Sequence, residues 1–468
     1  TNEVFPAGQF SLFERTRPSR RRRDEASSAI GRRGIRVRIS ALTQIMQKYF
    51  PNLVYVILFL LPWQTRYIFD QKLINGQPFE YGTLSLYAVE LLVIVTFFLG
   101  QRLQILKAHR APTRFLGIAV LAALISVPFS QDPDLSLVAW GHLVIGAILF
   151  ILLLDRRVNH HRALMAFVLG LVIPSLIGIF QVYAGFSPAS SWLGLAGHQA
   201  AGLGQAVIED VSGRFLRAYG TFNHPNVFGG FLAIGLIVLM FLRRPIRVAN
   251  YQLPITHLLS ALLSFALVIT FSRSAWLSFL AAVAVGGALL LYKHRLKARL
   301  ALPMLSITFL SLAIALGIFS EQAFSRFDVV LPLEEQSIDQ RLEQYQVFPK
   351  VLAGNILIGV GLGAYTERLA IIEPDQPGYA YQPVHNVGLL VLGEIGILGL
   401  IAVILWAGSV DRLNYAAIRR GSIGAIAGIS LGTVILVVVF FDHYLWSSWQ
   451  GLALLAFSMA MTLRLSED

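Results

Sequence analysis

The sequence contains no cysteine, which excludes a disulfide framework, a thiolate metal site and a cysteine nucleophile. It is also poor in charge. Only 14% of its 468 residues are charged, whereas 56% are apolar and the mean hydropathy is +0.65, which excludes a soluble globular domain. No internal repeat is visible, which weighs against a transporter built from inverted repeats. No short apolar segment followed by a cleavage site lies near the start, so no signal peptide is expected and the first span serves as the anchor.

What is present is a series of long apolar runs. Twelve lie at about 49–64, 82–100, 115–130, 135–154, 163–185, 226–242, 255–271, 275–292, 300–319, 384–407, 422–441 and 446–463. At about 20 apolar residues per bilayer crossing they predict an all-α polytopic membrane protein of about twelve transmembrane helices. The expected organisation is a basic arm at 1–48, helices one to nine over 49–319 with an external loop at 186–222, a long external loop at 320–383 holding an amphipathic helix, and helices ten to twelve over 384–468.

The basic residues orient this plan. With both termini cytoplasmic, 29 of the 38 Lys and Arg fall in segments assigned inside, and every short segment assigned outside is poor in them. Dropping either of the two short runs, near Phe50 and near Phe115, would put the basic connectors outside. The arm, with its Arg20 to Arg23 run, is read as a solvated cytoplasmic segment touching anionic lipid heads. It lacks the interleaved aromatics that nucleic-acid binding would call for, so no nucleic-acid partner is expected.

Seven of the nine outward basic residues concentrate in the two long external loops and at the start of the eighth span: Arg214, Arg217, Arg273, Arg326, Arg341, Lys350 and Arg368. Insertion disfavours such a concentration there, so an anionic ligand is the natural reason for it. Three segments share one geometry: Arg214 to Asn226, Ser272-Arg273-Ser274-Ala275-Trp276-Leu277, and His385-Asn386. Each places a helix N-terminus, with its unpaired N–H groups and partial positive charge, at the outer face. That dipole would keep an imidazole at His385 neutral and able to accept a proton, so His385 is either a general base or a capping histidine bonded to backbone. Arg273 is either an anion ligand or an interfacial arginine reaching phospholipid heads. Asn223, Pro225 and Asn226 read first as a turn and helix cap.

In the second loop, Ser337 to Phe348 reads as an amphipathic helix lying on the membrane surface, with Arg341, Tyr345 and Phe348 on one face. The following Gly359-Val-Gly361-Leu-Gly363 stretch lacks the strand and Lys-Ser of a phosphate loop and reads as close backbone packing. Asp132-Pro133-Asp134 reads as a tight turn in preference to a metal site, and Glu394, deep in the tenth span, as either a packing residue or a proton relay.

These segments together resemble the O-antigen ligase family, whose superfamily includes lipid-linked O-antigen polymerases and bacterial protein O-oligosaccharyltransferases. From His385-Asn386 nine residues lead to Gly396 and Gly399, similar to the family's His-Asn, nine residues, Gly-x-x-Gly signature. Arg273 to Leu277 matches its Arg-x-x-x-Leu motif, and Gly220 to Asn226 resembles the segment before its sixth span. The likeness covers about 200 to 465. It departs from the pattern in the length of the basic arm and at Tyr345, where a second Arg-x-x-x-Leu starting at Arg341 would need leucine.

The resemblance implies an enzyme of the bacterial inner membrane working at the periplasmic face, without metal or cofactor. Its donor would be a glycan on undecaprenyl pyrophosphate and its acceptor a hydroxyl of a lipid A core-like glycolipid or another glycan. It implies His385, Arg273 and Arg217 as catalytic residues, and Arg214, Arg341, Asn223, Asn226, Asn386 and Tyr345 as substrate-binding residues. A flippase or transporter for lipid-linked glycan is the non-enzyme alternative; it would need charge through the midplane, where this sequence has little.

Overall fold

The structure, a computed structural model, describes residues 1, 47–100, 103–202, 204–210, 213–242, 255–328 and 332–467. It divides into two compact units, Thr1–Tyr49 and Phe50–Asp468. Almost all of the first unit, including the predicted basic arm and its Arg20 to Arg23 run, lies outside the described residues, as does the basic connector 243–254.

The second unit is mostly helical. A first helix, α1, covers 50–60. It is followed by β1 (Arg66–Ile74), β2 (Gln77–Tyr87), α2 (Ala88–Gly100), α3 (Arg110–Ser126), α4 (Pro133–Leu153), α5 (His160–Gly170) and α6 (Val172–Ala184). Two small antiparallel hairpins come next, β3 (Phe186–Ser187) with β4 (His198–Gln199) and β5 (Val207–Asp210) with β6 (Gly213–Leu216). Then come α7 (Pro225–Phe241), α8 (Ile255–Ile269), α9 (Arg273–Ala298) and α10 (Leu302–Ile318). The second long loop holds α11 (Ser320–Ser325), α12 (Pro332–Leu352) and α13 (Tyr365–Ile372), and the chain ends in α14 (Val387–Arg419), α15 (Ile423–Phe441), α16 (Tyr444–Ser447) and α17 (Trp449–Leu465).

Every one of the twelve apolar runs contains helix. By length and composition six helical stretches could cross a membrane: Lys107–Phe129, Pro133–Leu153, His160–Ala184, Arg273–Leu296, Val387–Arg419 and Ile423–Phe441. Ala88–Gly100, Pro225–Phe241, Ile255–Ile269 and Leu302–Ile318 are shorter apolar helices. Their surfaces are those of a membrane protein. On α10, Leu310, Ile314 and Ile318 are exposed while Thr308 is buried against Ser260 of α8, with 2.6 Å between the hydroxyl oxygens. Apolar side chains outward and hydrogen-bonded polar ones inward is the arrangement lipid favours.

The all-α expectation needs correcting at three hairpins. The largest, β1–β2, falls where a span was expected to begin at 82. Asn75 and Gly76 adopt φ of 53° and 73°, the two-residue turn that suits the right-handed twist of a hairpin, with Ile74 paired to Gln77. Only from Ala88 is the run helical.

The helices pack in pairs that bring the external loops together: α14 against α3, α9 against α15, α8 against α10, and α17 against α4 and α15. Within α14 the helix breaks at Gly396, which has φ 67° and ψ −174°. A side chain there would place its Cβ 2.3 Å from the Leu357 carbonyl oxygen, so only glycine fits. The loop segment 356–361 repairs the break. Val360 and Gly361 N–H donate to the carbonyls of Gly393 and Glu394, and Ile397 N–H donates to the Ile356 carbonyl. These bonds satisfy backbone groups that a kink inside a membrane helix would otherwise leave orphaned. The glycine-rich stretch is thus close backbone packing. Asp132, read as a turn, caps α4 by accepting from Asp134 N–H and Leu135 N–H, and it pairs with Lys72 of the hairpin at 2.9 Å.

Candidate active site

The residues after β6 run directly into α7, and their side chains are fixed one by one. His224 is the N-cap of α7, its Nδ1 accepting from Asn226 N–H at 3.1 Å, with Pro225 as the first helical residue. Arg217 is buried. Its Nε donates to the Thr270 carbonyl at 2.8 Å and its Nη2 to Asn226 Oδ1 at 2.7 Å. The other end of the Asn226 amide, Nδ2, donates to Asp442 Oδ2 at 2.8 Å. Asn226 therefore joins a cation to an anion, and is more than the turn residue expected. Burial, then the neighbouring Arg326, lowers Arg217 to about 9, which still leaves it protonated at neutral pH.

Arg273 opens α9. Its Nη1 donates to the Arg326 carbonyl at 3.0 Å and lies 3.1 Å from Glu334 Oε2, while Arg326 pairs with the other oxygen of Glu334. Burial lowers Arg326 to about 10, opposed by Glu334. Glu334, in the first turn of α12, is thus a buried carboxylate between two guanidinium groups.

His385 stands just before α14. The helix cap is not His385, as one reading of the sequence had it, but Asn386, expected as a substrate-binding residue, whose side chain accepts from Leu389 N–H at 3.0 Å. His385 instead engages α12: its backbone N–H donates to Gln344 Oε1 at 3.2 Å, and its Nδ1 lies 2.8 Å from the same oxygen. Because a backbone N–H can only donate, the atom facing His385 must be the amide oxygen, and Nδ1 must carry the ring proton. Nε2 then bears the lone pair. Burial, followed by His443 and Arg341, holds His385 well below the usual imidazole range. The dipole expected to keep it neutral is joined by these stronger causes.

A cavity of about 660 Å³ collects these groups. Among the sequence-predicted residues, Arg214, Arg217, Asn223, Asn226, Arg341 and His385 line it, and so does Arg326. Arg341 hydrogen-bonds to no described residue, and burial is the first cause lowering its pKa. Arg214 is at the exposed rim, reaching the Ala201 and Gly202 carbonyls at 3.3 and 3.4 Å.

Three predicted residues do not line the cavity. Arg273 is turned to Glu334, Asn386 is occupied as a helix cap, and Tyr345 is 42% exposed. The face expected to hold Arg341, Tyr345 and Phe348 is split by helix phase: Gln340, Arg341, Gln344 and Val347 face the cavity, whereas Phe348 is buried against Tyr365.

Two residues the sequence reasoning passed over, Asp442 and His443, stand next to the cavity and line a smaller space of about 60 Å³ together with His224, Asn226 and His385. They lie between α15 and α16, and the His443 ring meets His385 edge-on at 4.8 Å between centroids. His443 Nδ1 is 2.7 Å from Ser447 Oγ. An Asp-His pair in the short outward connector between two apolar runs was the available signal. Glu80 of β2 was passed over as well; it lines the cavity and accepts from Asn223 Nδ2 at 2.7 Å.

Taken together, the site is a partly enclosed basic chamber in which His385 presents a neutral imidazole, suited to holding an anionic group beside a hydroxyl that must lose its proton. Comparison with known families reaches the same region. Residues 258–404 match the O-antigen ligase family. That segment runs from α8 into α14 and includes Arg273, Arg326, Arg341, Gln344 and His385. It identifies an O-antigen ligase domain and hence a glycosyltransferase-like membrane enzyme. No curated protein matches the chain.

Proposed function

We propose that the protein transfers a glycan from an undecaprenyl-pyrophosphate carrier to an acceptor hydroxyl at the outer face of the bacterial inner membrane, both termini being cytoplasmic. The observation that carries this is the joint lining of one cavity by His385, with an unprotonated Nε2, and by Arg217, Arg326 and Arg341. Arg341, which hydrogen-bonds to no described residue, and Arg217, held by Thr270 and Asn226, bind the pyrophosphate, with Arg214 at the rim. Arg273 acts through Glu334, which it shares with Arg326. Asn223 and Asn226 hold the mouth in shape.

In the chemical step Nε2 of His385 takes the acceptor hydroxyl proton as that oxygen attacks the anomeric carbon. The bond from that carbon to the carrier phosphate oxygen breaks, and its electron pair leaves on the pyrophosphate. A single displacement inverts the anomeric configuration, and the arginines stabilise the charge that develops. Removing one such preorganised donor typically costs ~3 kcal/mol in the transition state.

The test is transfer from synthetic undecaprenyl-pyrophosphate glycan, in EDTA, to lipid A core, a lipid-linked repeat or a peptide, read by mass spectrometry. Wild type should form one product, whose acceptor identifies ligase, polymerase or protein transferase. His385→Ala and Arg341→Ala should each lose about a hundredfold or more in turnover. Unchanged turnover in His385→Ala removes the base. Glycan-lipid binding with no transfer to any acceptor points to a flippase.

A further inference from the structure

A second cavity, of about 140 Å³, lies under the β1–β2 hairpin, and Glu80 and Asn223 line both it and the basic chamber. The smaller space of about 60 Å³ shares Glu80 and Asn223 with both, and His385, His443, Ser447 and Ser448 also line it. The balance of charge differs between them. The basic chamber has four arginines beside Glu80, Glu343 and Glu373, whereas the second cavity has one arginine, Arg66, whose Nη1 donates to the Tyr87 hydroxyl at 2.9 Å, beside Glu80 and Glu394. The rest of its lining includes the rings of Tyr81, Tyr87, Trp446 and Trp449 and the hydroxyls of Thr83 and Ser85.

Three of its lining groups are buried polar atoms without a hydrogen-bond partner among the described residues: Asn223 Oδ1, Thr366 Oγ1 and Trp449 Nε1, the last two on residues that are 1% and 2% exposed. Buried donors and acceptors of this kind are ordinarily satisfied, so they point to a ligand carrying hydroxyls. Glu394, by contrast, is already engaged, accepting from Trp446 Nε1 at 2.8 Å. With a single arginine, already bonded to Tyr87, against two carboxylates the cavity lacks the excess of cationic groups that phosphate needs, and its aromatic walls with scattered hydrogen-bonding groups fit an uncharged sugar ring.

We infer that this cavity binds the acceptor: an uncharged sugar ring whose attacking hydroxyl projects past Ser447 and Ser448 to His385. The inference rests on the glycosyl-transfer reading: His385, the base of that reading, lines both the basic chamber and the 60 Å³ space, and that space shares Glu80, Tyr81, Asn223, Ser447 and Ser448 with the second cavity. The Glu80–Asn223 pair is then the partition that keeps donor phosphate and acceptor sugar apart.

The test uses the full chain in detergent and two probes, inorganic pyrophosphate and a set of methyl hexosides (glucoside, galactoside and N-acetylglucosaminide), with binding followed by saturation-transfer NMR and calorimetry. At least one hexoside should bind wild type. Thr366→Val and Trp449→Phe should each weaken it by about fivefold, the effect of one lost hydrogen bond, and leave pyrophosphate binding unchanged, which also shows that both variants fold. No hexoside bound by wild type, or the same hexoside affinity in both variants, overturns the acceptor cavity whatever pyrophosphate does. Parallel loss of both probes in both variants overturns it as a separate subsite. Failure of wild type to bind pyrophosphate, with the hexoside result standing, counts against the transfer reading instead.

Discussion

Glu334 Oε2 lies 3.1 Å from Arg273 Nη1, and the same carboxylate pairs through its other oxygen with Arg326. One anion thus neutralises two cations at the edge of a chamber built for a more highly charged anion. Glu334→Gln should release both arginines. We expect inorganic pyrophosphate to bind about tenfold more tightly by calorimetry and the unliganded protein to lose about 2 kcal/mol, since two guanidinium groups are left facing each other. Pyrophosphate should then raise the melting temperature of the variant more than that of wild type. Equal pyrophosphate affinity in the two proteins would refute a shared role for these arginines.

The pH profile should report His385. Its pKa lies well below the ordinary imidazole value, through burial and then through His443 and Arg341, so the base stays unprotonated across neutral pH. The acid limb of kcat/KM, which belongs to the free enzyme, should lie well below the ordinary imidazole range. A bound pyrophosphate raises the imidazole pKa, so the limb of kcat should lie at higher pH than that of kcat/KM. Arg341→Gln removes one of the depressing charges and should move the kcat/KM limb upward. Coincident limbs in wild type and variant would exclude His385 as the titrating base.

Gln344 positions the imidazole and touches no reacting atom. Gln344→Leu removes the acceptor of two N–H groups and should lower kcat by about tenfold to a hundredfold with little change in donor KM. Gln344→Glu keeps an acceptor in place but adds a negative charge, so it should restore much of kcat while shifting the acid limb to higher pH. A role confined to packing α12 would give both variants the same profile.

Acid stability should depend on His224. Burial, then Arg217, lowers it to about 3, so the unfolded chain takes up a proton near pH 6.5 that the folded protein refuses. Its contribution to stability is complete above pH 6.5 and is lost progressively as pH falls toward 3. His224→Asn keeps a cap for α7, so stability at pH 8 should change by less than about 1 kcal/mol, while the melting temperature should fall less steeply between pH 6.5 and 5. An unaltered slope would assign the acid sensitivity to other groups.

Much of the helical plan was legible because a bilayer forces long apolar runs, and every such run contains helix. The hairpin was legible too, in Asn75-Gly76, but the apolar residues of β2 continue without a break into α2, so the run alone conceals where strand becomes helix. The chamber was half legible. His385, Arg217 and Arg341 are marked by the outward position that the charge pattern assigns them, and the departure at Tyr345 warned about Arg341 although its side chain does reach the cavity. What charge and spacing cannot provide is phase and long-range partnership. Tyr345 is one residue beyond Gln344 and falls outside the cavity face, and Asp442 meets Asn226 across more than two hundred residues.

The break at Gly396 has a mechanical consequence. The segment 356–361 is bonded on both sides of it, to Gly393 and Glu394 before the break and to Ile397 after it, and His385 ahead of α14 is tied through Gln344 to α12. The kink, the loop across it and the arginine-bearing helix are thus stitched into one hydrogen-bonded frame, and a side chain at Gly396 would disturb the seat of the imidazole together with the helix.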